Sequence, residues 1–193
     1  MGLSEEEKSV LLLAARDSLK SIFMETSLPE IDFTHYPHLR RIGQGAFVTL
    51  KIGEDLRGCI GYLKSDMSLY DTVCEAAKQA ALNDPRFYPL QYEELESVTL
   101  EISVLSTFST IVSYDEIQIG VHGLVLDDSG YRGVLLPQVA VEQNYDVNSF
   151  LSALCEKAGL PADTWETEML NIQVFTAVII SEVGNRKKTY ERN

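Results

Sequence analysis

The stretch Ala46-Phe47-Val48-Thr49-Leu50-Lys51-Ile52-Gly53-Glu54-Asp55-Leu56-Arg57-Gly58-Cys59-Ile60-Gly61-Tyr62-Leu63 decides the fold. Its first seven residues alternate, with Phe47, Thr49 and Lys51 on one side and Val48, Leu50 and Ile52 on the other, which is the period of a strand. Gly53-Glu54-Asp55 is a turn, so the second half returns beside the first as a hairpin. On the returning strand Leu56, Gly58, Ile60 and Tyr62 point one way; Arg57, Cys59, Gly61 and Leu63 point the other. A guanidinium and a thiol then share a face, with glycines beside the thiol. A nearby cation lowers a thiol's pKa, and a glycine inside a strand marks a bulge, a close approach or a ligand wall. That pattern suits a reactive site. It equally suits a packed cysteine beside a surface arginine.

Upstream, Ser4 and Glu7 form a capping box that opens a helix striped by Leu12, Ala15, Leu19, Ile22 and Phe23, ending before Pro29. Residues 28–42 lack a clean period and read as an arm laid over the core. His35 and His38 lie there without a metal-ligand framework, so packing or solvent exposure is the reading. Downstream, Ser68 caps a second helix with Leu69, Val73, Ala76, Ala77 and Ala80 inward, and Asn83-Asp84-Pro85 stops it. Cys74 on that helix reads as core. From Val98 to Ser106 the alternation is strict, placing Leu100, Ile102 and Val104 inside and Glu101 on a polar face that is solvent or a site. Gly123–Asp127 and Tyr131–Leu136 flank Asp128-Ser129-Gly130 as a second hairpin, and Pro137 ends its pairing. Asp146 or Asn148 opens a third helix, with Phe150, Leu151, Leu154 and Ala158 buried, which Gly159-Leu160-Pro161 closes. Residues 172–183 read as one long strand at or near the centre of a sheet. Hairpins dominate, so the expected class is α+β, a mainly antiparallel sheet with packed helices.

With 45% hydrophobic and 23% charged residues, the 193-residue chain can bury a sizeable core as one domain, or as one domain with a small appended lobe. A formal net charge of −13 repels phosphate polyanions, so nucleic-acid binding is disfavoured without a local basic patch. The basic cluster Arg186-Lys187-Lys188 reads as part of a flexible, solvated tail, 186–193. Cys59, Cys74 and Cys155 are odd in number and lack CxxC spacing, so neither zinc nor disulfides are expected. An acidic N-terminus and no membrane-length apolar run lead to a cytoplasmic expectation. No Walker loop or GxGxxG is present, and no cofactor is expected.

Several blocks together carry a resemblance. They are Leu56-Arg57-Gly58-Cys59-Ile60-Gly61, Gly45-Ala46-Phe47-Val48-Thr49-Leu50, Asp84-Pro85-Arg86-Phe87, Glu101-Ile102-Ser103-Val104-Leu105, His122-Gly123-Leu124, Arg132-Gly133 with Leu136-Pro137-Gln138, and Ala158-Gly159-Leu160-Pro161. Their order and extent resemble the AMMECR family, named for the first gene product of the AMME chromosomal region and also called protein A of the AmmeMemoRadiSam system. The resemblance implies a larger and a smaller lobe, with the LRGCIG signature on the larger lobe's sheet. It also implies association with Memo-type and radical-SAM proteins. It supplies no reaction.

Cys59 is the candidate nucleophile, with Arg57 as the neighbouring cation. His122 is the candidate base and Glu101 the group that would orient it. Arg57, Gly58, Gly61, Asp84 and Arg86 are the candidate ligand-binding residues, for an anionic small molecule not identified by the sequence. Each has a plainer alternative. Arg57 would form an ion pair with Glu101 or Asp84, Asp84 and Arg86 would close their loop on each other, and Tyr62 and Phe87 would be core. Two functions follow, a small-molecule enzyme using Cys59 or a binding and adaptor module.

Overall fold

In the computed structural model, which describes residues 2–25, 27–28, 30–128 and 130–182, the chain forms two compact units. One contains the described residues through Val104 and those from Val178 to Glu182; the other is made of the described residues of Leu105–Ala177. Each unit holds a four-stranded sheet with helices packed on it, and the registered pairings are antiparallel. The α+β class read from the sequence is the one observed.

The first sheet comprises β1 (Ala46–Ile52), β2 (Asp55–Tyr62), β3 (Val98–Leu105) and β8 (Ala177–Ser181), in the order β2-β1-β3-β8. Helices α1 (Glu5–Lys20) and α2 (Leu69–Leu82) share one core with it, where Leu11, Leu19 and Val73 meet Val48, Leu50 and Ile102. The capping box on α1 is complete: Ser4 Oγ accepts from Glu7 N at 3.1 Å, and the Glu7 carboxylate accepts from Ser4 N at 2.9 Å. The helix stops at Lys20, so Ile22 and Phe23 pack on the core from the turns beyond it. Glu7 is itself buried and also takes the ring and amide of His38, tying down the arm whose Leu39 is fully buried. His38 is thus a packing residue, as read. The Ser68 cap and the inward face of α2 are as expected, and Cys74 is in the core.

The second unit contains β4 (Ser109–Thr110), β5 (Gly123–Asp128), β6 (Tyr131–Leu135), α3 (Pro137–Glu142), α4 (Val147–Ala158), α5 (Thr164–Thr167) and β7 (Ile172–Phe175). Its sheet runs β4-β7-β5-β6, around a core that includes Leu124, Leu126, Phe150, Leu154 and Ile172. Asp146 caps α4, and Gly159 ends it at φ 84, where a side chain would be strained. Pro137 does more than stop the hairpin; it opens α3 at the first helical position, where its missing N–H costs nothing.

One expectation is corrected. The apolar run from residue 172 is two strands in two sheets: β7 lies inside the second sheet, and β8 forms an edge of the first. Thr176 is the break. Its amide donates to Ser106 Oγ at 2.9 Å and its carbonyl accepts from Ser106 N at 2.8 Å. No glycine or proline marks the change, and the apolar, β-branched pattern runs on through it even though Val178 and Ile179 of β8 are exposed. Val183, the end of that run, and the basic tail lie outside the described residues. Among the described residues, no helix is long and apolar enough to cross a membrane.

Candidate functional site

Cys59, Thr49 and Glu101 face one another across three neighbouring strands, β2, β1 and β3. Thr49 stands between, and its hydroxyl donates to Cys59 Sγ at 3.2 Å. Facing residues sit about 5 Å apart at Cβ, so the Cβ atoms of Glu101 and Cys59 are separated by roughly 10 Å, with Thr49 between them. Lys51, two residues along β1 on the same face, brings its Nζ to 3.7 Å from Glu101 Oε2. This is the polar face of the first sheet; the helices cover the other.

Arg57 departs from the simple alternation. The β1–β2 register runs Leu50↔Gly58 and then Lys51↔Leu56, leaving Arg57 as the extra residue of a β-bulge. Its guanidinium meets Glu94, with Nε at 2.7 Å and Nη2 at 2.8 Å from the two carboxylate oxygens. The ion pair expected with Glu101 or Asp84 is therefore made with Glu94 instead. Arg57 Nη1 is buried without a hydrogen-bond partner among the described residues.

Asp84 and Arg86 do close on each other. Asp84 accepts from Arg86 N, Nε and Nη2 and from Cys59 N, at 3.1, 2.9, 2.7 and 2.8 Å. Those four bonds fill the usual capacity of a carboxylate. Hydrogen bonds from Arg86, reinforced by the Cys59 amide, outweigh burial and hold the Asp84 carboxyl down at about 2. Half-buried Phe87 lies beside both guanidiniums, 6.0 Å from Arg57 Cζ and 5.5 Å from Arg86 Cζ, rather than in the core.

The thiol is not activated by these neighbours. Burial pushes the Cys59 pKa up; the Thr49 hydroxyl and the Arg86 guanidinium pull it down and are outweighed, while Asp84 and Glu101 add to the rise. The cation acting on the thiol is Arg86, because Arg57 has been drawn to Glu94.

Residues 12–180 match the AMMECR1 family profile. The chain belongs to the AMMECR1 family. It is 42% identical over 165 residues to Protein MJ0810 of Methanocaldococcus jannaschii, an alignment covering 81% of this chain and 82% of that one. A Methanothermobacter thermautotrophicus protein is 37% identical over 191 residues, covering 94% and 97%. The crystal structure of uncharacterized protein PH0010 from Pyrococcus horikoshii superposes with a TM-score of 0.83 at 34% identity, over 92% of each chain.

Within this AMMECR1 domain the remaining candidates fall apart in kind. Gly58 and Gly61 are sites of close protein approach: a Cβ at Gly58 would stand 2.2 Å from the Ala80 carbonyl oxygen of α2, and one at Gly61 would stand 2.4 Å from the Phe47 ring. His122 belongs to the second unit, whereas Cys59 and Glu101 belong to the first. In its own unit, His122 Nδ1 accepts from Gln118 N at 3.3 Å, so a neutral ring carries its proton on Nε2. Sequence reasoning missed Thr49, Lys51 and Glu94. Thr49 and Lys51 were already legible on the Cys59 face of the hairpin, had the pairing register been worked through. Nothing local pointed to Glu94, which lies 37 residues from its arginine.

Proposed function

We propose that this AMMECR1-family chain is a binding module whose working surface is the polar face of the first sheet, centred on Cys59, Thr49 and Glu101. A single observation carries the reading: burial raises the thiol's pKa while the nearest cations are held by carboxylates, Arg57 by Glu94 and Arg86 by Asp84. A thiol in that setting is a small, half-buried group suited to contact and not to attack. The adaptor role with a Memo-type or radical-SAM partner, implied by the family resemblance, suits such a surface. The test is direct binding of a purified Memo-type protein to the wild-type chain and to Cys59→Ser and Lys51→Met. The module reading expects Cys59→Ser to bind like wild type and Lys51→Met to bind more weakly. Binding by Lys51→Met as tight as that of wild type would contradict it.

Two observations favour the enzyme reading. Among the described residues Arg57 Nη1 is a buried donor without a partner, which an anionic substrate's oxygen would satisfy, and Thr49 donates to the sulfur in a way that stabilises a thiolate. In that reading Cys59 is the nucleophile and Arg57 holds the anionic substrate. Turnover lost in Cys59→Ser with ligand affinity retained would establish it.

A further inference from the structure

The polar face ends, near the β1–β2 turn, in a cavity of about 130 Å³ lined by Lys51, Gly53, Glu54, Thr99, Leu100, Glu101 and Ser181. The side chains there are unusually uncommitted. Glu101 is only 23% exposed at its side chain, yet accepts no hydrogen bond among the described residues. Its nearest cation, Lys51 Nζ, stands 3.7 Å away, beyond the roughly 2.7–2.9 Å of a charge-assisted hydrogen bond. Lys51 Nζ donates no hydrogen bond, and the Ser181 hydroxyl makes none, again among the described residues. These groups are partly exposed and reached by water, so a ligand that offers both a donor and an acceptor would take the place of that water.

The geometry points to a small α-amino acid, or another compact zwitterion, as the ligand of this cavity. The inference rests on reading this face as a binding surface and names the ligand class. An α-amino acid carries its ammonium and its carboxylate on the same carbon. The two charges therefore meet a carboxylate and an ammonium that already lie 3.7 Å apart. The ligand ammonium goes to Glu101, with Glu54 at the rim adding to the negative field; the ligand carboxylate goes to Lys51 Nζ and the Ser181 hydroxyl. Two carboxylates against one lysine repel a bare anion, whereas a bare cation would leave Lys51 and Ser181 without a ligand acceptor; a zwitterion supplies a group to each side. Volume sets the side chain. A cavity of about 130 Å³, partly open to solvent, is matched more closely by the side chain of glycine, alanine or serine than by that of leucine.

The experiment is calorimetric titration of the full chain with glycine, L-alanine, L-leucine, acetate and methylammonium, followed by amide chemical shifts of Thr99, Leu100 and Glu101. Glycine and alanine are expected to bind about tenfold or more tightly than the other three. Glu101→Gln and Lys51→Met are each expected to weaken glycine by a similar factor, with melting temperatures confirming that the variants are folded. Acetate or methylammonium binding as tightly as glycine would overturn the inference, leaving a simple ion site. So would the absence of both heat and shift changes with either amino acid on the wild-type chain. The partner-binding measurement separates the two readings: amino acids failing while the Memo-type partner binds through Lys51 removes this inference alone. An activated Cys59 removes the module reading whatever glycine does.

Discussion

Asp84 closes the open edge of β2 at Cys59, its Oδ2 accepting the Cys59 amide at 2.8 Å while Arg86 Nη2 approaches the Cys59 carbonyl at 3.5 Å. β2 is an edge strand of its sheet. An edge amide offers itself to any passing strand, and here a side-chain pair occupies the place of that strand. The same pair acts on the thiol in opposite senses, Arg86 lowering its pKa and Asp84 raising it, so the edge of the fold and the candidate site are one structure.

Removing Asp84 therefore strikes both. Asp84→Ala leaves the Cys59 amide and the Arg86 guanidinium without their acceptor, at an expected cost of about 3 kcal/mol in urea unfolding. The carboxyl's folded pKa, about 2, lies below its unfolded value of roughly 3.9, so the stabilisation is full above pH 4 and is lost as pH falls through 2. That difference is worth roughly 2.5 kcal/mol. Unfolding curves of wild type and Asp84→Asn between pH 7 and pH 2 should converge at the acid end; parallel curves would contradict the linkage.

Gly58 should tolerate no side chain. With the Ala80 carbonyl oxygen 2.2 Å from an added Cβ, α2 must move off the sheet in Gly58→Ala. Overpacking of this kind costs about 2–3 kcal/mol. A melting temperature equal to wild type would show that the helix relaxes freely.

Arg16 and Glu182 tie the end of the chain's last described strand to α1. Glu182 accepts from Arg16 Nε at 3.0 Å and from its Nη2, and also takes Leu100 N at 2.9 Å, while Arg16 reaches the Leu95 and Val98 carbonyls. Both side chains are 15% exposed, so stranding either one should cost about 3 kcal/mol. In a double-mutant cycle, Arg16→Met with Glu182→Leu should lose much less than the sum of the single changes. Additive losses would show that the two act independently.

Much of this was legible in the sequence where chemistry is local. The Ser4–Glu7 box, the Ser68 and Asp146 caps, Gly159 at positive φ and both hairpins are dictated by neighbours within a few residues. The split at Thr176 was not legible, because its cause is Ser106, seventy residues away in sequence. Arg57 was misjudged for a similar reason. A bulge moves it out of register, and Glu94, on the other side of α2, captures it. The site read from Arg57 and Cys59 is thus organised at the thiol by Thr49, Asp84 and Arg86, of which the sequence offered only the last two as candidates.

Thr49 gives a graded handle on the sulfur. Its hydroxyl lowers the thiol pKa that burial raises, so Thr49→Val should slow alkylation of Cys59 at pH 8 by moving its pKa further up. Faster alkylation in that variant would mean that the hydroxyl shields the sulfur and does not polarise it.

The most direct measurement is the pH dependence of iodoacetamide alkylation at each cysteine of the folded chain, read by mass spectrometry with the buried Cys74 and Cys155 as internal controls. The binding-module reading expects Cys59 to react slowly at neutral pH, with an apparent pKa above the roughly 8.5 of a free thiol. Fast alkylation of Cys59 with an apparent pKa well below that value would contradict it and establish an activated nucleophile.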